Sequence, residues 1–275
     1  MTVSTSALRV PRLDAVRALV WRDYRIARSY QLAFFLDLVL GVLNLVIFYF
    51  ISRTFSNRTT SHLAGAPSYF AFAALGISVT VVMEAASIGL ANRLREEQLT
   101  GTLEALVAQP LTSIELALGL TGYPFLFAMS RAAFYVLVSG AFLGLELGRT
   151  SWPGFVLMLA MTGVALAAIG ILLGAVVVVV KRSRVAASVA ASGLGFLGGA
   201  FFPISVLPNW LEPVGRVVPT RFAFDGLRAA VFRGGGWTTD FLVLGAFSAV
   251  ALPVAAGAFA LSLRLIRRRG SIAQY

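Results

Sequence analysis

Cysteine is absent from this chain of 275 residues, His62 is its only histidine and Lys181 its only lysine. Without cysteine there are no disulfides and no thiolate metal sites. One histidine cannot supply an H-E-x-x-H zinc motif, and it leaves a serine-hydrolase triad without a credible base. A phosphate-binding P-loop needs G-x-x-x-x-G-K-[ST], yet Lys181 follows five valines, so the chain does not bind ATP by that device. No catalytic or metal site is evident. Charge is scarce as well: 13% of residues are charged against 58% hydrophobic, with a mean hydropathy of +0.84. That is too little polar surface for an ordinary soluble domain and fits an all-α integral membrane protein.

What charge there is has a pattern. The net charge of +11 sits at the ends of apolar runs rather than along a soluble face, which argues against nucleic acid and for contact with anionic membrane lipids. Crossing about 30 Å of hydrocarbon takes roughly 20 residues, and the apolar runs predict six spans at about 31–51, 69–90, 121–146, 155–180, 185–202 and 241–263. Six spans place both termini on one side. That side carries 15 of the Lys and Arg residues outside the spans and the other side 7, which predicts cytoplasmic N- and C-termini. The chain divides into an N-terminal segment, 1–30, and a membrane domain, 31–275. Residues 1–30 are too charged for a signal-peptide core; from Pro11 on, Leu13, Val16, Val20, Tyr24 and Ala27 share one helical face while Arg17, Arg22, Arg25 and Arg28 cluster beside it. This predicts a basic amphipathic helix lying at the membrane interface. Small residues at four-residue spacing, such as Gly140, Gly144 and Gly148, Gly170 and Gly174, and Gly195 and Gly199, read as packing faces.

One polar stretch interrupts the first half of the chain. Asn92 to Glu115, NRLREEQLTGTLEALVAQPLTSIE, holds four of the twelve acidic residues. A helix continues through Arg93 to Leu99, and Gly101 breaks it. Leu103, Leu106 and Val107 then make one apolar face of a short second helix that Pro110 stops. Thr112-Ser113-Ile114-Glu115 has the spacing of a capping box opening the next helix. The run Glu97, Gly101, Thr102, Leu103, Glu104, Leu106 and Pro110 resembles the cytoplasmic coupling segment of ABC-2-type permeases, the membrane subunits of ABC exporters. The resemblance implies that segment 91–116 fits a groove on a separate ATPase, with Glu96, Glu97, Gly101, Thr102, Leu103, Glu104, Leu106, Val107 and Pro110 at the contact.

A second stretch, 203–236, carries Pro203, Pro208, Pro213 and Pro219 together with Trp210. It is too apolar for a free loop and too broken for a straight span, which predicts two short helices dipping into the outer leaflet. It too resembles the ABC-2 permeases, where such a re-entrant segment closes the outer mouth; Phe202, Pro203, Pro208, Trp210 and Pro219 are the corresponding gate residues. Within the spans, Asp37 and Glu84 lie about 9 Å from the cytoplasmic edge and Arg131 about 8 Å, at 1.5 Å per residue. Unpaired charges in hydrocarbon are costly, so the three are expected to form one cluster. Glu146 marks the outer interface.

The resemblance implies a six-span architecture of the type V exporter kind. It further implies two ATPase subunits that carry the ATP and Mg, none being bound by this chain, and a second permease copy or a homologue in the plasma membrane. A drug, lipid, glycan or polyketide-like product would fit a wide apolar path. An ion-gradient-driven transporter using Asp37, Glu84 and Arg131 as a relay, and a membrane scaffold without transport, remain the alternatives.

Overall fold

The computed structural model describes residues 13–55, 63, 65–102, 105–106, 109, 111–180 and 184–269, and among these the regular structure is helical throughout. In chain order the helices are α1 (Leu13–Arg28), α2 (Gln31–Phe55), α3 (Tyr69–Leu99), α4 (Ser113–Phe142), α5 (Trp152–Val180) and α6 (Arg184–Gly198). A 3-10 turn (Ile204–Val206), α7 (Glu212–Val217), α8 (Pro219–Arg228), one π-helical turn (Ala229–Arg233) and α9 (Thr238–Arg269) complete it.

Five of these are long and apolar enough to cross a membrane: the stretches Phe34–Thr54, Tyr69–Ala86, Ile114–Phe142, Trp152–Val176 and Thr238–Ser262. The expected fifth span, 185–202, differs. It is α6, whose 15 residues measure about 22 Å, short of the roughly 30 Å of hydrocarbon. Gly199, in the left-handed region at φ +86°, turns the chain, and Pro203 precedes the 3-10 turn.

The third span is shifted as well. Helix α4 opens at the Thr112 cap, where Thr112 Oγ1 accepts from the Glu115 amide at 3.2 Å and Glu115 Oε2 accepts from the Thr112 amide at 2.7 Å. It closes at Phe142 rather than 146 because Gly144 adopts φ +72° and the amides of Leu143 and Leu145 both turn back onto the Ser139 carbonyl. Gly144, Glu146 and Gly148 therefore lie in a loop, so the last two glycines of the expected 140–148 face do not share a helix.

Helix α3 is the centre of the bundle. In its apolar stretch 72% of the residues are buried, against 6% in that of α2, whose residues are mostly exposed or half-buried. The run Ala71-Phe72-Ala73-Ala74-Leu75-Gly76 explains this, because small side chains let neighbouring backbones come close. At Gly76 an added Cβ would stand 1.8 Å from the Ala200 carbonyl oxygen, so α3 and the end of α6 are in backbone contact. Further along α3, Gly170 of α5 meets the Ala86 carbonyl in the same way. Around α3 a large apolar cluster includes Phe72, Leu75, Met83, Tyr135, Met158, Leu166 and Phe224. A smaller one near the polar stretch joins Leu90, Leu94, Leu116, Leu120 and Phe259.

Gly76→Ala is expected to force α3 and α6 apart at a cost on the order of 1–3 kcal/mol. Gly89→Ala, where nothing lies within 4 Å, should be neutral or slightly stabilising through helix propensity. Thermal unfolding in detergent micelles compares the two; equal midpoints would contradict the close contact.

Candidate functional site

The polar stretch is a handle on the end of α3. The helix continues past its apolar part through Arg93, Glu96 and Glu97, and Gly101, at φ +71°, turns the chain out of it. The turn is bonded rather than loose: the Thr100 amide donates to the Glu96 carbonyl and the Thr102 amide to the Glu97 carbonyl, each at 3.0 Å. Thr102 Oγ1 donates to the Glu97 carboxylate as well. A new helical turn at Ala105 and Leu106 starts from the Leu106 amide bond to the Thr102 carbonyl, and the Thr112 capping box then launches α4. Leu103, Glu104, Val107 and Pro110 of the expected contact set lie outside the described residues.

Helix α1 clamps the base of this handle. Its packed side includes Val16, Leu19 and Val20, the last two fitting against Gly119 and Gly122 of α4, while Leu13 and Tyr24 of the expected apolar face are exposed. The most buried residue of α1 is Asp23, 1% exposed. An unpaired carboxylate at that burial would be costly, and two arginines answer it: Arg22 at 3.0 Å and Arg93 of α3 at 3.6 Å. Arg22 also reaches Glu97 Oε1 at 2.6 Å, and Arg93 reaches Glu96 at 2.9 Å. Burial works against the Arg22 charge, but the hydrogen bonds and charges of Asp23 and Glu97 outweigh it and hold the guanidinium above its ordinary range. Two arginines and three carboxylates thus rivet α1 to α3 where the handle begins.

Two features of the handle depart from the contact expected from sequence. Glu97 is buried and engaged by Arg22 and Thr102, so its carboxylate is turned into the chain. Leu106 is half-buried against the cluster of Leu90, Leu94 and Leu116, packing onto its own chain. Among the described residues of the handle Leu99 is the most exposed large apolar side chain, 75% accessible, with Ile114 exposed to a lesser degree. Nothing in a helical wheel separates a face that packs inward from one awaiting a partner, so sequence alone passed over Leu99.

Of the three intramembrane charges the structure pairs two directly. Arg131 of α4 bonds the Asp37 carboxylate of α2 and donates to Tyr135 Oη at 2.9 and 3.2 Å. Tyr135 in turn donates to the Asp37 backbone carbonyl at 3.4 Å. Gly41 makes this possible, since a Cβ there would collide with the Tyr135 hydroxyl. Glu84 of α3 is close enough to sense both charges but is exposed and bonds neither. Common depth along the spans was legible; the direction each side chain takes around its helix was not.

At the far end of the bundle, 203–236 forms the 3-10 turn, α7, α8 and the π turn. Pro203 caps the 3-10 turn and Pro219 opens α8 at its first position. The Pro208 carbonyl accepts from the Leu211 and Glu212 amides, Phe202 packs edge-on against Phe196 at 4.6 Å, and Trp210 is exposed. The residue that sequence reasoning missed here is Arg228, one of the seven Lys and Arg residues counted on the outer side and only 2% exposed. Its Nη2 donates to the carbonyls of Gly199 at 2.9 Å, Phe72 at 3.2 Å and Ala200 at 3.3 Å, and its guanidinium lies 3.4 Å from the centre of the Phe72 ring. A composition count cannot reveal such a site, because its acceptors are backbone atoms.

Among the described residues no group of three or more His, Asp or Glu is placed to hold a metal. The arrangement suits mechanical linkage between helices rather than bond chemistry. A protein-family model for ABC-2 type transporters matches residues 14–232. No relative matches among curated proteins.

Double-mutant cycles measure these links. Arg22→Met with Glu97→Gln, and Arg131→Met with Asp37→Asn, should each show coupling on the order of 0.5–3 kcal/mol. Arg131→Met with Glu84→Gln should show a smaller coupling than Arg131→Met with Asp37→Asn, because Glu84 makes no direct bond to Arg131. Chemical unfolding of each set in micelles gives the energies; additive behaviour for Asp37 with Arg131 would contradict the pair.

Proposed function

The chain belongs to the ABC-2 type transporter family, and from that premise we propose that it is the permease of an ATP-driven exporter coupled to a separate ABC ATPase. Two copies of the chain, or one copy and a homologue, enclose the path, and two ATPase subunits sit beneath them with the ATP and Mg. Short as it is, α6 runs beside α3, from Met83 opposite Gly195 to Gly76 opposite Ala200, and so returns the chain to the far end. The positive-inside count then supports cytoplasmic termini and a cytoplasmic handle in the plasma membrane. An amphipathic or lipid-like cargo suits a path between helices as apolar as these, and the largely unburied α2 leaves a long face for lipid or the second permease.

The observation that carries the proposal is the handle: a turn bonded at Gly101, riveted to α1 at its base and exposing Leu99 beyond it. A large apolar side chain exposed within the stretch that resembles the coupling segment of the family is a candidate contact for the ATPase. Closure of the ATPases would press on this handle, with Leu103, Glu104 and Val107 as further proposed contacts, and the rivet would pass the displacement to α1 and α3 together. Glu96, exposed and bonded to Arg93, suits the rim, where charge sets orientation and association rate. The rival ion relay gains little support from Asp37 held by both Arg131 and Tyr135, an arrangement suited to a fixed clasp.

Two outcomes are expected. The purified chain, free of partner by mass spectrometry, should hydrolyse no ATP and should acquire hydrolysis only as a complex. Leu99→Asp should release the ATPase in pull-downs and abolish export while leaving the melting temperature of the chain unchanged; Leu106→Asp should lower that temperature itself, since its side chain packs inward. Undiminished co-purification and export with Leu99→Asp would count against the handle as the coupling element.

A further inference from the structure

We propose that Arg228 is the latch of the far-end segment: its guanidinium holds the segment shut by gripping backbone carbonyls of α3 and of the turn that follows α6, and the mouth opens when that grip is released. The direction of opening, outward, rests on the exporter function proposed above; the latch itself rests on geometry. Just past the end of α6, in the turn that follows it, the carbonyls of Gly199 and Ala200 face the Arg228 guanidinium, which reaches across to Phe72 of α3 with the same nitrogen. Thr220 of α8 adds a parallel tie, donating to the Leu194 carbonyl at 2.7 Å. Helix α8 therefore closes on α6 through two side chains, one of them a buried cation lying on an aromatic face.

The grip is built to be released. Nε of Arg228 is buried without a partner. The nearest carboxylate, Asp225, stands 3.9 Å away and is already held by Arg221 at 3.2 Å. A cation meant to stay put would have a bonded counter-ion, because a buried unpaired charge is costly; this one is held by dipoles and a ring, with Asp225 as the partner it can turn to. A crevice of about 180 Å³ lined by Phe72, Ser205, Arg221, Asp225 and Arg228 reaches the guanidinium and gives water a way in once the segment shifts. On its other side the segment is hinged. The Ser151 amide donates to the Ala230 carbonyl at 2.9 Å, Thr150 to that of Val231 at 3.2 Å, and Gly234 and Gly236 follow at φ +67° and +78°. Release at Arg228 would swing α8 away from α6 while the hinge held.

The absence of cysteine makes the test direct, since one introduced thiol is the only one present. Ala223 of α8 is fully buried, so Ala223→Cys in cells expressing the full chain with its partner ATPase should react slowly with a membrane-impermeant maleimide. Loss of a charge-assisted grip in Arg228→Gln should accelerate labelling by about ten-fold or more. Arg228→Lys, which keeps the charge but loses the fork, should fall between. Asp225→Asn, lacking the alternative partner, should not accelerate it. Should Arg228→Gln not accumulate, Phe72→Leu, which removes the ring and keeps the carbonyl, carries the same expectation of faster labelling. Unchanged labelling in a variant that elutes as a single species would overturn the latch. An equal rise at the distant buried reporter Ala117→Cys, measured in permeabilised membranes, would also overturn it by showing general loosening. Acceleration confined to inverted vesicles would uphold the latch and contradict the outward orientation, and labelling needs neither ATP hydrolysis nor transport.

Discussion

A polar group inside hydrocarbon has no water to turn to, and several helices of this chain are tied together by how that constraint is met. Asp37 and Arg131 answer each other across α2 and α4, with Tyr135 fitted over Gly41 to complete the set. Arg228 is answered by carbonyls of the turn that follows α6. At the handle, Asp23 is buried in α1 only because Arg22 and Arg93 reach it. Each solution ties together helices distant in sequence, so the polar residues, few as they are, determine which helices are neighbours. The apolar ones fill the space between.

Helix α3 collects these ties. Its 31 residues span about 46 Å. One end carries Arg93 and Glu97 in the rivet to α1, and the other offers Phe72 and Gly76 to Arg228 and Ala200. A force applied at the handle therefore meets a single stiff element that touches the far-end segment. Coupling between distant sites needs an element with two arrangements that both sites bias; the proposed latch at Arg228 supplies one, and α3 is the member common to both ends.

Much of this was legible in the sequence, and the reason is locality. Gly101 and the Thr112–Glu115 box act on their immediate neighbours, so the break and the capped helix could be placed from residue types alone. Spans followed from the length of apolar runs, except where glycine density shortened α6 and Gly144 ended α4 early. What was illegible depends on partners far away in the chain. Asp23 reads as an ordinary polar residue of an interfacial helix until α3 and α4 are packed against it. Arg228 reads as one more outer charge until backbone carbonyls surround it. Leu106 and Leu99 differ only in which side of the handle meets the body of the protein, and Glu84 shares a depth with Arg131 without sharing a direction.

The central claim is that the handle end of α3 meets a soluble ATPase. A photoreactive amino acid placed at Leu99, in cells expressing the whole transporter, tests it most directly, with the same residue at Trp210 on the exposed far end as control. The account predicts an ultraviolet-dependent adduct between the chain and an ABC ATPase from Leu99 and none from Trp210. An adduct from Trp210 alone, or no ATPase adduct from Leu99 in cells that still export, would contradict it.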